Sequence, residues 1–286
     1  KKGEIRDIAR LIRPTIAVIT GIAPQHLGLF GSLDNLNQAK YELIEATPSD
    51  GTTFINCSDP QTASIRKRAT ADGRQWKCTD GGWKLIKPTV KNLYLSVTLA
   101  ADKTSIPINT KLPGFTYLDN LQTAVAIARE FGLTPGEVAE SITSFTPTKY
   151  FTSIKTGLHG ATVIDDGGTS NPEGFRAAID MASRVNANNK ILLTPGIIDL
   201  GEKSDSIHRE LGARSSQVFD LAVHTGAAGS QAFKSGWESS DKKKPLYTNP
   251  PHIDSILKKE ITNQTLILIE GKLPVHTQKM LRTTAG

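Results

Sequence analysis

The chain has 286 residues, which is enough for two ordinary α/β domains and too many for one small core. Hydrophobic residues make up 38% and charged residues 22%, which excludes a disordered chain, and the net charge of +6 permits an anionic partner without identifying one. No signal-peptide pattern is visible, and the longest apolar runs are far shorter than the ~18 residues of a membrane span, so we expect no membrane association.

The first half of the chain alternates predicted strands and helices and then changes to short strands. The predicted elements are a strand at Thr15–Thr20, a helix at Ser32–Ala46, a strand at Thr52–Asn56 and an exposed helix at 60–71. Asp80-Gly81-Gly82, between runs at Gln75–Cys78 and Trp83–Lys87, predicts a β-hairpin. Strands at Asn92–Leu99 and 105–112 follow, then helices around Leu121–Ala128 and at Thr134–Ser144.

A linker at Phe145–Phe151 precedes a second series of alternating elements. These are strands at Ala161–Ile164, Lys190–Thr194, Leu221–Thr225 and Leu266–Ile269, with helices at Glu173–Val185, Ser204–Phe219 and the C-terminus. Strands separated by helices indicate a parallel sheet with crossover helices. The sequence therefore predicts two α/β domains, residues 1–147 and 148–286, and places a β-rich insertion in the first.

The two cysteines, Cys57 and Cys78, are too few for a disulfide framework, which favours a reducing cytoplasm. Cys57 follows a predicted strand and is expected in the hydrophobic core, whereas Cys78 is expected in the hairpin.

His26 and Lys40 are the first candidate site residues. His26 lies in the loop after the first strand, where ligand sites gather in parallel sheets. Lys40 lies on the apolar stripe of its helix, which consists of Leu33, Leu36, Leu43 and Ile44. Its ammonium either extends to solvent or is buried with a lowered pKa, and a neutral amine there could form a carbamate whose oxygens bind Mg²⁺.

A second candidate site follows the strand at 161–164, in the segment Asp165–Pro172. Its glycines allow a ligand to approach the backbone, and Asp166 could accept a hydrogen bond from a ribose hydroxyl or bind a cation. The alternative is a turn in which Asn171 caps the next helix and Pro172 occupies its first position.

Other motifs give weaker evidence for a function. Gly196–Lys203 has the glycine spacing of a phosphate loop, but Glu202 stands where the loop requires lysine. His208 is expected on the surface of its helix. Basic residues are not interleaved with aromatic ones, so we expect no nucleic-acid partner.

Six groups of residues, taken in order, resemble the central and C-terminal domains of the Mur ligases, in the branch that adds D-alanyl-D-alanine. They are Arg13–Leu27 with Phe30–Ile44, Phe54–Pro60, Leu112–Gly114 with Asn120 and Ala124, Val163–Asp166 with Asn171-Pro172, Leu193–Glu202 with His208–Gly212, and Phe219-Asp220. The resemblance covers nearly the whole chain. It implies a partial Mur ligase central domain, with a parallel sheet and a β-rich insertion, followed by a Rossmann-like C-terminal α/β domain.

The resemblance also implies roles for matched residues. His26 and a carbamylated Lys40 would be catalytic and bind Mg²⁺, Asn120 would contact the adenine of ATP, and Asp166 and Asn171 would face the nucleotide and the acceptor. The implied reaction is ATP-dependent amide formation through an acyl phosphate. Its substrates would be a UDP-muramyl peptide and D-alanyl-D-alanine or another amino acid, handled by a cytoplasmic monomer.

Departures from the family pattern support an alternative, a degenerate Mur-like module that binds a nucleotide or partner without ligating. Gly21 replaces an asparagine, Gly167-Gly168 replaces Tyr-Asn, Lys149-Tyr150 replaces Gly-Arg, and Glu270-Gly271-Lys272 replaces Lys-Gly-Ser. The family's phosphate loop would precede Lys1, so we expect residues 1–286 alone to lack ligase turnover.

Overall fold

A computed structural model describes residues 3–22, 30–148, 151–168, 170–241 and 243–281. The chain divides into two compact units, Lys1–Phe145 and Thr146–Gly286. Both units combine helices with sheets, which confirms the predicted α/β class.

The first unit begins with a small parallel sheet in the order β1-β2-β3. Its elements are α1 (Glu4–Ile12), β1 (Ile16–Ile19), α2 (Leu33–Ala46), β2 (Thr52–Ile55), a 3₁₀ turn (Pro60–Thr62), α3 (Ala63–Ala71) and β3 (Trp76–Cys78). Ser32 caps α2 by accepting a hydrogen bond from the backbone N–H of Asn35 at 3.1 Å. Ile19, Ile44 and Ile55 are among the residues of the core between sheet and helices.

An antiparallel sheet in the order β4-β5-β6 forms the predicted β-rich insertion. Its strands are β4 (Lys84–Lys91), β5 (Tyr94–Ala101) and β6 (Thr104–Pro113), and α4 (Leu118–Glu130) and α5 (Pro135–Ser144) pack on it through a core that includes Leu95, Leu99 and Val125. The predicted hairpin around Asp80 is wrong. β3 pairs in parallel with β2 while β4 pairs with β5, so the turn carries the chain from one sheet to the next.

The second unit contains a six-stranded sheet in the order β11-β10-β9-β12-β8-β7. Its strands are β7 (Ser153–Thr156), β8 (Thr162–Asp166), β9 (Asn189–Thr194), β10 (Leu221–His224), β11 (Leu246–Thr248) and β12 (Thr265–Glu270). Its helices are α6 (Pro172–Ser183), α7 (Ser204–Val218), α8 (Ser230–Glu238), α9 (Ile253–Glu260) and α10 (Val275–Leu281). Among the described strands of this sheet, only β7 at the edge runs antiparallel to its neighbour. Strands β10 and β12 are buried along their whole lengths, as central strands of a parallel sheet are.

Cys57 and Cys78 form a disulfide that joins the end of β2 to the end of β3, with their Cα atoms 5.4 Å apart. Both cysteines are half-buried, so the expectation of a core position for Cys57 is wrong. The two residues are distant in sequence, but parallel pairing of β2 with β3 brings the two strand ends together. Because the two cysteines are paired in a disulfide, they do not support a reducing compartment.

Within the described ranges, no helix has both the length and the apolar character that crossing a membrane requires.

Candidate functional site

In the first unit, two hydrogen bonds from side chains of the loop after β2 join it to the loop after β1. The Asn56 side-chain amide donates to the carbonyl of Thr20 at 3.0 Å. A carboxylate oxygen of Asp59 accepts from the backbone N–H of Ile22 at 2.7 Å. The segment that leads toward His26 is therefore fixed at its start by the neighbouring loop.

Gly21 fits this arrangement because Asp59 approaches it closely. A Cβ at position 21 would lie 3.2 Å from a carboxylate oxygen of Asp59. The replacement of the family's asparagine by glycine thus leaves room for the bond between Asp59 and Ile22.

Lys40 is half-buried on α2, and the part of the chain that the structure describes offers its ammonium no hydrogen bond or ion pair. His26 lies outside the described residues. The choice between a solvent-directed ammonium and a carbamate at Lys40 therefore stays open. Because Lys40 has no partner among the described residues, its amine could extend to solvent or form a carbamate.

Asn120 lies in the first turn of α4, and its side chain is exposed. It does not serve as the cap of that helix, since the preceding cap position is Tyr117. Its side-chain amide is accessible to a ligand, and its proposed contact with adenine stays a prediction.

In the second unit, Asp166 and Glu270 end the adjacent parallel strands β8 and β12 and are partners in the strand register. The Thr152 hydroxyl donates to Asp166 at 3.0 Å, and the Ser170 hydroxyl donates to one carboxyl oxygen of Glu270 at 2.6 Å. The other oxygen of Glu270 is buried and accepts no hydrogen bond from the described residues. Two acidic side chains thus meet at the edge of the sheet where the sequence predicts a ligand site.

Burial raises the pKa of Asp166, and the nearby charge of Asp165 adds to the rise, against the lowering effect of the Thr152 hydrogen bond. Burial also raises the pKa of Glu270 well above its usual range, with a further contribution from the charge of Asp166. Glu270 is 1% exposed. The pair therefore holds a proton on Glu270 at a pH where an exposed glutamate is ionised. The sequence marks Glu270 only as a departure from lysine, because burial of its carboxyl depends on the strand pairing.

Asn171 caps α6, as the second alternative for this segment requires. Its side-chain oxygen accepts from the backbone N–H of Gly174 at 2.9 Å, and Pro172 occupies the first turn. Gly167 donates its N–H to Asp165 at 3.0 Å, and a Cβ there would approach that carboxylate to 2.8 Å. The turn thus uses Asn171 and Gly167 structurally, and a ligand contact by Asn171 stays a prediction.

Two buried histidines shape the loops after β9 and β10. The ring of His208 accepts from the backbone N–H of Ile197 at 3.0 Å and donates to the carbonyl of Ser204 at 2.8 Å. This pattern requires the neutral ring, and burial lowers its pKa. Burial likewise lowers the pKa of His224 to about 4. The expectation of a surface position for His208 is wrong, because α7 turns this residue toward the loop at Ile197.

Gly196, the first glycine of the segment 196–203, has a structural role. Gly196 has a φ of +81°, and a Cβ there would lie 2.3 Å from the carbonyl oxygen of Ala228. Only glycine fits this close approach.

Residues 1–128 match the family model of the Mur ligase middle domain. The UDP-N-acetylmuramoyl-tripeptide–D-alanyl-D-alanine ligase of Mycobacterium tuberculosis is 27% identical over 267 residues, which cover 84% of this chain and 51% of that protein. The ligase of the same name from Bacillus subtilis is 22% identical over 284 residues, which cover 98% of this chain and 61% of that protein. The chain thus spans about half to three fifths of the length of these relatives.

Solved structures show the same fold. MurF from Acinetobacter baumannii aligns with a TM-score of 0.81 at 22% identity, over 98% of this chain and 61% of that one. MurF ligase from Thermotoga maritima, solved in complex with ADP, aligns with a TM-score of 0.79 at 19% identity, over 98% of this chain and 64% of that one. The sequence matches confirm the resemblance to the Mur ligases, and the solved structures show that the fold is shared.

Proposed function

We propose that this chain forms part of an ATP-dependent ligase of peptidoglycan precursor synthesis, which joins D-alanyl-D-alanine to a UDP-muramyl peptide through an acyl phosphate. The similarity to D-alanyl-D-alanine-adding ligases over 84% of the chain carries the proposal. The match extends through both units, so it includes the residues proposed for the nucleotide and for the acceptor. ATP and a UDP-linked substrate also favour a cytoplasmic location.

Within the first unit, His26 and Lys40 are the proposed Mg²⁺ ligands, with Lys40 as a carbamate. The half-buried position of Lys40 and its lack of a partner among the described residues suit this role. Bound Mg²⁺ would stabilise the charge that develops on the transferred phosphoryl group. Asn120, exposed at the start of α4, is the proposed adenine contact.

Within the second unit, Asp166 is the proposed nucleotide contact. Its raised pKa and its place at the carboxyl end of β8 suit a side chain that meets a ligand at the edge of a parallel sheet. Asn171 fixes the start of α6 beside it, and the proposed contact of Asn171 with the acceptor adds to that structural role.

The identity of the acceptor is proposed from the ligases that the chain resembles. A UDP-N-acetylmuramoylalanine–D-glutamate ligase from Ligilactobacillus salivarius is 26% identical over 66% of this chain. D-Glutamate is therefore the competing acceptor, and a second ligase of that kind, from Pelotomaculum thermopropionicum, is 23% identical over 82% of this chain. D-Alanyl-D-alanine is preferred because ligases of that name reach 27% identity over 84% and 22% identity over 98% of this chain.

A second candidate is a non-catalytic module that binds a nucleotide or partner. Glu270 favours it, because a buried carboxyl stands against Asp166 where the resemblance implies a lysine. A carboxyl at this place offers no positive charge to a phosphate.

The test is ADP release by the full-length parent protein supplied with ATP, Mg²⁺ and a UDP-muramyl tripeptide, with D-alanyl-D-alanine or D-glutamate as acceptor. We expect release that depends on D-alanyl-D-alanine, and none from residues 1–286 alone, which contain no phosphate loop. ADP release with D-glutamate alone would assign the other acceptor. Nucleotide binding without any ADP release would support the non-catalytic module.

Lys40→Ala tests the proposed metal ligand within the same assay. We expect it to abolish turnover, while Lys67→Ala, which removes an exposed lysine of α3, leaves turnover unchanged. The intact-protein mass of the wild type should exceed that of its acid-treated form by one carbon dioxide, and the Lys40→Ala protein should show no such difference. A wild type without this added mass would contradict the carbamate.

A further inference from the structure

Cys57, Cys78 and Asp80 form a compact group of potential metal ligands at the carboxyl ends of β2 and β3. Their two sulfur atoms and a carboxylate oxygen all lie within 4.8 Å of one another, and all three residues are half-buried. The proposed ligase reaction uses none of them.

The turn that carries Cys57 is held on both sides. The backbone N–H of Asn56 donates to the carbonyl of Ile19 at 2.9 Å, and the side chain of Asn56 accepts from the backbone N–H of Ser58 at 3.0 Å. The Thr62 hydroxyl donates to the carbonyl of Asn56 at 2.8 Å. These bonds place Cys57 independently of the disulfide.

The turn that carries Cys78 and Asp80 is held as firmly. The backbone N–H of Thr79 donates to the carbonyl of Ile55 at 3.0 Å. The side-chain amide of Gln122, on α4, donates to the carbonyls of Thr79 and Trp83 at 2.8 and 2.9 Å. Opening the disulfide therefore leaves both sulfurs and the carboxylate close together.

Two thiolates and a carboxylate are ligands that Zn²⁺ accepts, and three protein ligands leave a fourth position for water. We propose that Cys57, Cys78 and Asp80 form a redox-gated zinc site, closed by the disulfide and opened by reduction.

A dithiol can reduce the disulfide between Cys57 and Cys78. The disulfide takes two electrons and two protons from the dithiol, which leaves as its own disulfide, and the chain gains two thiols. Zn²⁺ then replaces both thiol protons, which pass to solvent. The site stands independently of the proposed ligase activity.

The proposed zinc site lies next to the loops that follow β1 and β2 in the first unit. Cys57 lies between Asn56 and Asp59, which bond to Thr20 and Ile22 in the loop after β1. A change from disulfide to zinc site therefore occurs beside the segment that leads to His26.

The experiment measures zinc retained by the chain with nucleotide absent. The oxidised chain and a chain reduced by a phosphine under anaerobic conditions are equilibrated with Zn²⁺, passed through gel filtration and analysed for metal. We expect one zinc per reduced chain and none per oxidised chain. Co²⁺ in place of Zn²⁺ should give thiolate-to-metal absorption only in the reduced chain.

Three variants make the result specific. Cys57→Ser with Cys78→Ser should abolish zinc retention, and Asp80→Asn should weaken zinc binding at least about tenfold. Asp50→Asn, which removes an exposed carboxylate of the same unit, should bind zinc as the wild type does. Far-ultraviolet circular dichroism checks that each variant is folded. Equal zinc retention by the oxidised and reduced chains, or an unchanged affinity in Asp80→Asn, would overturn the site.

Discussion

At the scale of single residues, Glu270 shows how a buried strand end accommodates a carboxyl group where the resemblance implies a lysine. Its carboxyl is fully buried beside Asp166, and two ionised carboxylates there would repel each other at low local dielectric. A proton retained on Glu270 removes the repulsion, and the Ser170 hydroxyl bonds to the group in either state. The charge of this site therefore depends on pH.

Glu270→Gln is expected to make the protein more stable above the ordinary pKa of glutamate. The pKa of Glu270 is raised on folding, so the folded state binds a proton that the unfolded state has lost. Stability from Glu270 is thus fully present at low pH and falls as the pH rises toward its folded pKa, by up to about 1.4 kcal/mol per pH unit. Glutamine keeps the hydrogen-bonding shape and does not titrate. Urea unfolding between pH 5 and pH 8 should show an advantage of the variant that grows with pH.

Glu260→Gln is the control for this prediction, because Glu260 is exposed at the end of α9. Its difference from the wild type should stay near zero across the same pH range. A pH-independent difference for Glu270→Gln would contradict a retained proton.

At the scale of secondary-structure elements, local pattern predicted most of the chain. Apolar periodicity located α2, α6 and the central strands because each buries one face or its whole length in its own unit. The hairpin prediction was wrong because the residues Asp80–Gly82 indicate a turn but not which strands pair on either side of it. Candidate site residues such as Lys40 stand out in the sequence by an odd place in a pattern, whereas the buried partner of Asp166 is recognised only from the order of strands in the sheet.

Helix α1 was not predicted, and a residue distant in sequence explains its position. Only Ala9 of this helix is buried, so burial of an apolar face does little to fix it. Instead the carboxylate of Glu42 on α2 accepts from the backbone N–H of Gly3 at 2.8 Å and of Arg6 at 3.2 Å. Glu42 thereby caps α1 at the end where its dipole is positive.

Glu42→Gln is expected to destabilise the protein by about 1–2 kcal/mol and to loosen α1 more than any other helix of its unit. The amide provides one acceptor in place of two and loses the charge that favours the helix N-terminus. Hydrogen exchange should show faster exchange in Glu4–Ile12.

Glu140→Gln serves as the comparison for this variant, because it changes an exposed glutamate of α5. We expect it to leave both stability and exchange unchanged. Slow exchange of α1 in Glu42→Gln would show that contacts other than the cap hold this helix.

At the scale of the whole molecule, each unit has its own hydrophobic core. The core of the second unit lies between its six-stranded sheet and its helices and includes Ile191, Val223 and Ile267. The first unit has separate cores under its parallel and antiparallel sheets. We therefore expect the two units to respond separately to a change that affects one of them.

Reduction of the disulfide between Cys57 and Cys78 tests this independence, because both cysteines belong to the first unit. The bond closes a loop with a sequence separation of 21 residues. In the chain-entropy model its loss costs the first unit about 3 kcal/mol, since the unfolded chain regains that freedom. Residues 146–286 expressed alone should fold and supply a reference urea transition, followed by the fluorescence of Trp237. With zinc removed by a chelator, reduction should shift the transition of the first unit to lower urea and leave the transition that matches the fragment in place. A shift of both transitions together would show that the two units unfold as one.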